Sequence, residues 1–167
     1  MEKKISGGAW LCYAAVFAAV VALDQWFKRW ITANIPQETV PAGNRPLLPG
    51  VVHLTHIHNG GAAFGSFQGG RWFFLALLAL FCGLVIWALR TGWLEDGFSR
   101  FLAVLAAAGA VGNGIDRALH GYVVDMFELE FMRFAVFNIA DIALTVSAAL
   151  FMLHLLLHWR GGESAKA

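Results

Sequence analysis

The chain has 167 residues, of which 59% are hydrophobic and only 14% charged, with a net charge of +1 and a mean hydropathy of +0.63. A soluble domain carries about 25% charged residues, so an ordinary water-facing globule is excluded. A near-zero net charge without a basic patch also excludes a nucleic-acid interface, and the length suits one domain.

The first apolar run, Ile5 to Leu23, carries no charge. Lys3 and Lys4 ahead of it give it the look of a secretory signal peptide. It is however of spanning length, and it ends in Asp24-Gln25-Trp26 rather than a small-x-small cleavage site. Cys12 follows bulky Trp10 and Leu11, which does not suit lipidation. A retained helix over about 8–29 is expected. Both cysteines, Cys12 and Cys82, sit inside apolar runs and read as small hydrophobes rather than as a disulfide pair or metal ligands.

All four prolines, Pro36, Pro41, Pro46 and Pro49, fall in the next forty residues with Gly43 and Gly50, which is loop chemistry. Val51 to His58 is β-branched and partly alternating, so a short strand is expected there, followed by a turn at Asn59-Gly60-Gly61. The segment 30–70 reads as a small β-rich extramembrane unit, with Val123 to Phe127 contributing another strand.

Three more apolar runs follow: Trp72–Leu89, Phe101–Ile115 and Ile142–Trp159. A spanning helix needs about 20 mostly apolar residues. The second and fourth runs qualify alone. The third, rich in Ala and Gly, qualifies if its polar ends are counted. Helices are expected over about 71–90, 98–116 and 138–159, with a second extramembrane stretch at 117–137. Ala106, Ala110 and Gly114 form a small-residue stripe on which another helix can approach closely. Seven Trp suit interfacial anchors. The fold class is therefore an all-α membrane protein, four spanning helices carrying a small extramembrane β-unit, in one domain over 1–167.

Chain parity then gathers the polar groups. In an up-and-down bundle the end of span one, the start of span two, the end of span three and the start of span four share one face. Asp24, Lys28, Asn59, Asn113, Asp116, Arg117, Asp125, Asn138 and Asp141 all map to that face. Both termini and the short connection Thr91–Arg100 lie on the other. The Lys and Arg count is six on each side, so positive-inside bias is tied; the N-terminal lysine pair favours termini in the cytoplasm and the polar face outside.

Ionisable groups inside apolar spans are costly and mark function by default. Asp125 and Asp141 lie near one surface. Two adjacent carboxylates share a proton, so that one can activate water while the other polarises a carbonyl. Capping is the plain alternative for Asp141, with Asn138 as N-cap and Asp141 three residues on; for Asp125 it is a strand-end carboxylate. Asn113 sits before the polar exit at Asp116 and Arg117 and needs hydrogen-bond partners. Asp24 and Lys28 have the spacing of a helical ion pair. His53, His56 and His58 invite a zinc reading, but on a regular strand His53 points away from the other two, and a catalytic site would need a bend and a carboxylate. His154 and His158 lie near the far end of the last helix, where interfacial positions suit them better than ligation. A small proton-coupled transporter or channel is the alternative function; it would place an ionisable group near mid-span on a path through both faces.

At these residues the sequence resembles lipoprotein signal peptidase, or signal peptidase II. Leu23-Asp24-Gln25 with Lys28, Asn59-Gly60-Gly61-Ala62-Ala63-Phe64-Gly65, Gly112-Asn113 with Asp116-Arg117, Val124-Asp125-Met126, and Phe137-Asn138-Ile139-Ala140-Asp141 match that family's five blocks in order. Met126 departs from it, since an aromatic residue is common there. The resemblance implies an aspartic endopeptidase of the bacterial cytoplasmic (inner) membrane, with its site at the periplasmic face beside a β-cradle. It implies a diacylglyceryl-modified prolipoprotein as substrate, cut before the lipidated Cys, with membrane lipid as the surroundings. Asp125 and Asp141 take the catalytic roles. Asn59, Asn113, Arg117 and Asn138 bind substrate or orient the pair, and Asp24, Lys28 and Asp116 support them. No cofactor or metal is expected, and the chain is expected to act as a monomer.

Overall fold

The computed structural model describes residues 5–37, 45–62 and 66–164, the last six as backbone only. The N-terminal lysine pair, Pro41 and Gly43, and the Ala63-Phe64-Gly65 part of the second block lie outside the described residues. Four helices, α1 (Gly7–Asn34), α2 (Arg71–Arg90), α3 (Gly97–His120) and α4 (Ile139–Ser164), are each long and apolar enough to cross a membrane. Three strands, β1 (Arg45–Leu48), β2 (Val52–Asn59) and β3 (Val123–Leu129), make one antiparallel sheet in the order β1-β2-β3.

α3 lies at the centre and packs against the other three helices. Glycine makes this possible. A Cβ on Gly109 would collide with the carbonyl oxygen of Ala140 on α4 and come within 3.1 Å of the Leu144 nitrogen; one on Gly112 would lie 2.7 Å from Asp24 Oδ2 on α1. The expected stripe of Ala106, Ala110 and Gly114 faces elsewhere: all three line a cavity that α2, α3 and α4 border, and Gly114 meets Leu78 of α2. Large apolar side chains stay exposed along α2 and α4, among them Trp72, Leu80, Leu84, Trp87, Met152 and Leu157. Such a surface is at home in lipid rather than water.

α3 is longer than its apolar run. It passes through Asp116 and Arg117 for another turn and stops at Gly121, whose φ of 83° only glycine adopts readily and whose N–H bonds the Arg117 carbonyl at 3.1 Å. Its other end is capped by Asp96, whose carboxylate accepts from the Ser99 N–H at 2.8 Å. α1 likewise runs to Asn34, beyond the expected 29.

The sheet sits on the end of α1. Ile31 and Ile35 bury against Leu54, Val124 and Met126, with Phe27, Trp30 and Phe127 around them. Met126, the departure from the family's pattern, is fully buried there, so a thioether fills a space in the core under the sheet. β1 was not anticipated; Pro46 is tolerated because the strand is at the sheet edge. Within β3, Phe127 exchanges backbone hydrogen bonds with Phe137 at 2.8 and 3.1 Å. This brings the start of α4 against the strand that carries Asp125.

Replacing Gly109 by Leu is expected to overpack the α3–α4 seam, destabilise the fold by about 1–3 kcal/mol and lower the thermal unfolding midpoint in detergent. Gly83 on α2 has open space around it, so Gly83→Ala is expected to leave the midpoint unchanged or raise it, by up to about 1 kcal/mol in stability.

Candidate active site

Building upward from α1, Asp24 and Lys28 stand one turn apart and both point into the bundle, where they are 0% and 3% exposed. Lys28 Nζ lies 2.9 Å from Asp24 Oδ2, 3.0 Å from Asp116 Oδ2 and 2.9 Å from Asn113 Oδ1. The ion pair expected from the spacing is thus one of two that Lys28 makes. Gln25 adds to them by donating to Asp116 Oδ1 at 2.8 Å and to the Gly112 carbonyl at 3.1 Å. Both carboxylates also reach outward: Asp24 Oδ1 accepts the Ala140 N–H of α4 at 3.0 Å, and Asp116 Oδ2, the oxygen that faces Lys28, also accepts the Val124 N–H of β3 at 3.1 Å. Two carboxylates therefore tie α1, α3, β3 and α4 together at one level.

Above this base lies a ladder of amides. Asn113 Nδ2 donates to Asp141 Oδ1 at 2.7 Å. Asn138 Nδ2 donates to Asn113 Oδ1 at 3.0 Å and to Asp125 Oδ1 at 2.7 Å. Asn59 Nδ2 donates to Asp125 Oδ2 at 3.0 Å. Asp125 and Asp141 are thus joined through Asn138 and Asn113, and both border a cavity of about 340 Å³ with Asn59, Asn113, Arg117 and Thr145. Phe134 to Phe137 form another wall of this cavity.

The capping alternative for Asp141 describes the same geometry. Its Oδ2 accepts the Asn138 N–H at 3.1 Å, and its own N–H reaches Asn138 Oδ1 at 2.9 Å. This reciprocal cap satisfies two free donors at the helix start and leaves Asp141 beside the cavity. Asp125 is on β3 and 3% exposed. Burial pushes its carboxyl up to about 7; the Asn59 bond opposes this, the Asp141 charge adds to it, and the Asn138 bond and the Lys28 charge oppose it.

Arg117 serves the rim. One of its terminal nitrogens donates to the Gly61 carbonyl at 2.7 Å, and its guanidinium lies 4.5 Å from the ring centre of Phe74. It thereby holds the turn after β2, which Asn59 also shapes by accepting the Gly61 N–H at 3.0 Å. Arg117 and Asn113 border a second, larger cavity of about 690 Å³. That one is apolar and runs from the carboxylate level past Leu78, Phe81 and Leu102 to Trp93 and Leu94 at the opposite end of the bundle.

The histidines stand apart from this arrangement. His53 pairs with Glu128 at 2.9 Å and Glu130 at 3.4 Å, while His56 bonds the Ile35 carbonyl at 2.9 Å and meets His58 at 3.1 Å. His154 lies 3.3 Å from Asp96 at the far face. Gln25 is the site residue that reading the sequence for chemistry passed over. The signal was its place beside Asp24 and three residues before Lys28, on a helix surface that the two charges already fix as buried.

Comparison with known proteins identifies the family. The family described as signal peptidase (SPase) II matches residues 16–157. Lipoprotein signal peptidases of Lactococcus lactis subsp. cremoris (strain MG1363) and Streptococcus thermophilus (strain CNRZ 1066) are each 40% identical, over 87% and 81% of this chain and 93% and 86% of their own lengths. A solved structure described as a bacterial membrane enzyme, determined by the in meso method at 2.3 Å, superposes with a TM-score of 0.80 at 29% identity, covering 93% of this chain and 92% of the other. A second of the same description, at 1.9 Å, covers 93% of this chain and 97% of its own with the same TM-score. The chain belongs to the signal peptidase II family, and is a multi-pass membrane peptidase.

Proposed function

We propose that this chain removes the signal peptide from diacylglyceryl-modified prolipoproteins, cutting before the lipidated Cys, with Asp125 and Asp141 as an aspartic catalytic pair. The observation that carries the proposal is the ladder of Asn59, Asn138 and Asn113, which presents both carboxylates to one cavity at the end of an apolar groove.

In this mechanism Asp141 is the base. It rests on a helix N-terminus and accepts N–H bonds from Asn113 and Asn138, surroundings that suit a carboxylate taking a proton from water. Asp125, buried and held up near 7, is the acid. Water loses a proton to Asp141 as its oxygen attacks the scissile carbonyl carbon, and Asp125 gives its proton to the carbonyl oxygen. A tetrahedral diol results. Collapse breaks the C–N bond: Asp141 passes its proton to the leaving nitrogen, and Asp125 recovers one from the diol. The pair ends as it began, and no metal or organic cofactor enters.

The apolar cavity suits an apolar segment of the signal peptide or the acyl chains, entering sideways from the bilayer. Asn59, Asn113, Arg117 and Asn138 supply polar contacts for the peptide backbone or hold the pair in place. Excluding bulk water there strengthens each electrostatic contact. The proposal includes a monomer in the bacterial cytoplasmic membrane, with the site at its outer face. A transporter reading is disfavoured because the acids gather at one end of the bundle.

Purified protein given a diacylated prolipoprotein tests this. Asp125→Asn and Asp141→Asn are each expected to lower the rate by at least about 10²–10⁴-fold, while the protein still inserts and melts normally. Full cleavage by either variant would remove the proposal. The active form needs Asp125 protonated, and its proton is lost as the pH rises through about 7. kcat/KM is accordingly expected to fall on the alkaline side with a midpoint near that value, a limb absent from any residual activity of Asp125→Asn.

A further inference from the structure

Lys28 is buried, and its ammonium has three N–H groups and three acceptors: one oxygen each of Asp24, Asp116 and Asn113, all within 3.0 Å. Two of these acceptors neutralise charge. The third does not, since Asn113 is an uncharged amide. An ammonium has no acceptor to offer, so the side of Asn113 that faces it must be the oxygen. The other side, its NH2, then faces Asp141 Oδ1 at 2.7 Å. Asn138 Nδ2 reinforces the same sense at 3.0 Å. Turned over, Asn113 would set its oxygen against the Asp141 carboxylate, acceptor against acceptor, and its NH2 against Lys28, donor against donor.

We propose that Lys28 is a positioning residue for the reaction: by fixing the sense of the Asn113 amide it keeps an N–H on Asp141 throughout the catalytic cycle. Lys28 does not touch the reacting atoms; it acts through one intervening side chain. This rests on the reading of Asp125 and Asp141 as the catalytic pair. It departs from a purely structural role, in which Lys28 would only offset Asp24 and Asp116 and its removal would change stability without changing turnover.

The test uses the full chain in detergent with a diacylated prolipoprotein. Lys28→Met alone leaves two buried carboxylates without a counter-charge, so it is combined with Asp24→Asn, which keeps the net charge of the cluster unchanged. The single Asp24→Asn variant is the reference. Relative to it, the double variant is expected to lose about 10- to 100-fold in kcat with KM within about twofold. A folded double variant with kcat within about twofold of the reference overturns the proposal. Should the double variant not accumulate as folded protein, Asn113→Asp decides. It keeps an oxygen for Lys28 and Asn138 but offers Asp141 no amide N–H, and at pH 7 it is expected to lose at least about 10-fold in kcat. Wild-type kcat in that variant overturns the proposal. Asp125→Asn and Asp141→Asn are run alongside. Activity in either removes the catalytic-pair reading itself, whereas inactive aspartate variants beside normal turnover without Lys28 remove only the role given to Lys28.

Discussion

Placing a carboxylate in a membrane-spanning bundle costs several kcal/mol unless it is paired and hydrogen-bonded. Much of this fold is arranged around that constraint. Asp24 and Asp116 are satisfied together by one ammonium, by Gln25, and by backbone N–H groups of Ala140 and Val124. Those two backbone donors belong to α4 and β3, the elements that carry Asp141 and Asp125. Satisfying the lower pair of acids therefore sets the height and rotation of the upper pair. Gly112 is part of the same solution, because any side chain there would displace Asp24 Oδ2.

The upper pair follows a different logic. Its hydrogen-bond partners are amides rather than cations; the nearby Arg117 donates instead to the Gly61 carbonyl and lies over Phe74. Amides hold a carboxylate in position without neutralising it. Burial then acts on Asp125 with less opposition than a direct salt bridge would offer, and its carboxyl sits up near 7. A lysine within contact distance of either acid would remove the contrast between acid and base on which the proposed mechanism relies. One shell further away, behind Asn113, Lys28 shapes the pair while leaving that contrast in place.

Much of this was legible in the sequence. Length and hydropathy gave the four helices, and parity alone brought Asp24, Asn113, Asp125 and Asp141 to one end, because loops join helix ends in a fixed order. The β2 strand followed from a β-branched run, and β3 was expected as a further strand of the same unit, without its pairing. What escaped did so for physical reasons. α3 looked short because its last turns trade apolar residues for Asn113, Asp116 and Arg117, whose burial depends on partners elsewhere. β1 contains a proline and pairs on one side only, so its local signal is weak. The reciprocal cap of Asn138 and Asp141 was legible, but as an alternative to a site role; the capped Asp141 also borders the cavity, so the cap does not exclude the role proposed for it. The bond from Arg117 to the Gly61 carbonyl has no local signature at all, since a main-chain acceptor is indifferent to side-chain identity.

The length of α1 carries a consequence of its own. Its 28 residues make a rod of about 42 Å, against a hydrocarbon layer of about 30 Å. An untilted rod of that length outreaches the layer by roughly two turns, and the sheet rests on the last turns of α1. On the function proposed above, the rod would act as a ruler, setting how far below the water boundary a bond must lie to be cut. A thicker or thinner host bilayer would shift that depth by hydrophobic mismatch, so that on the same proposal lipid composition becomes a variable of turnover.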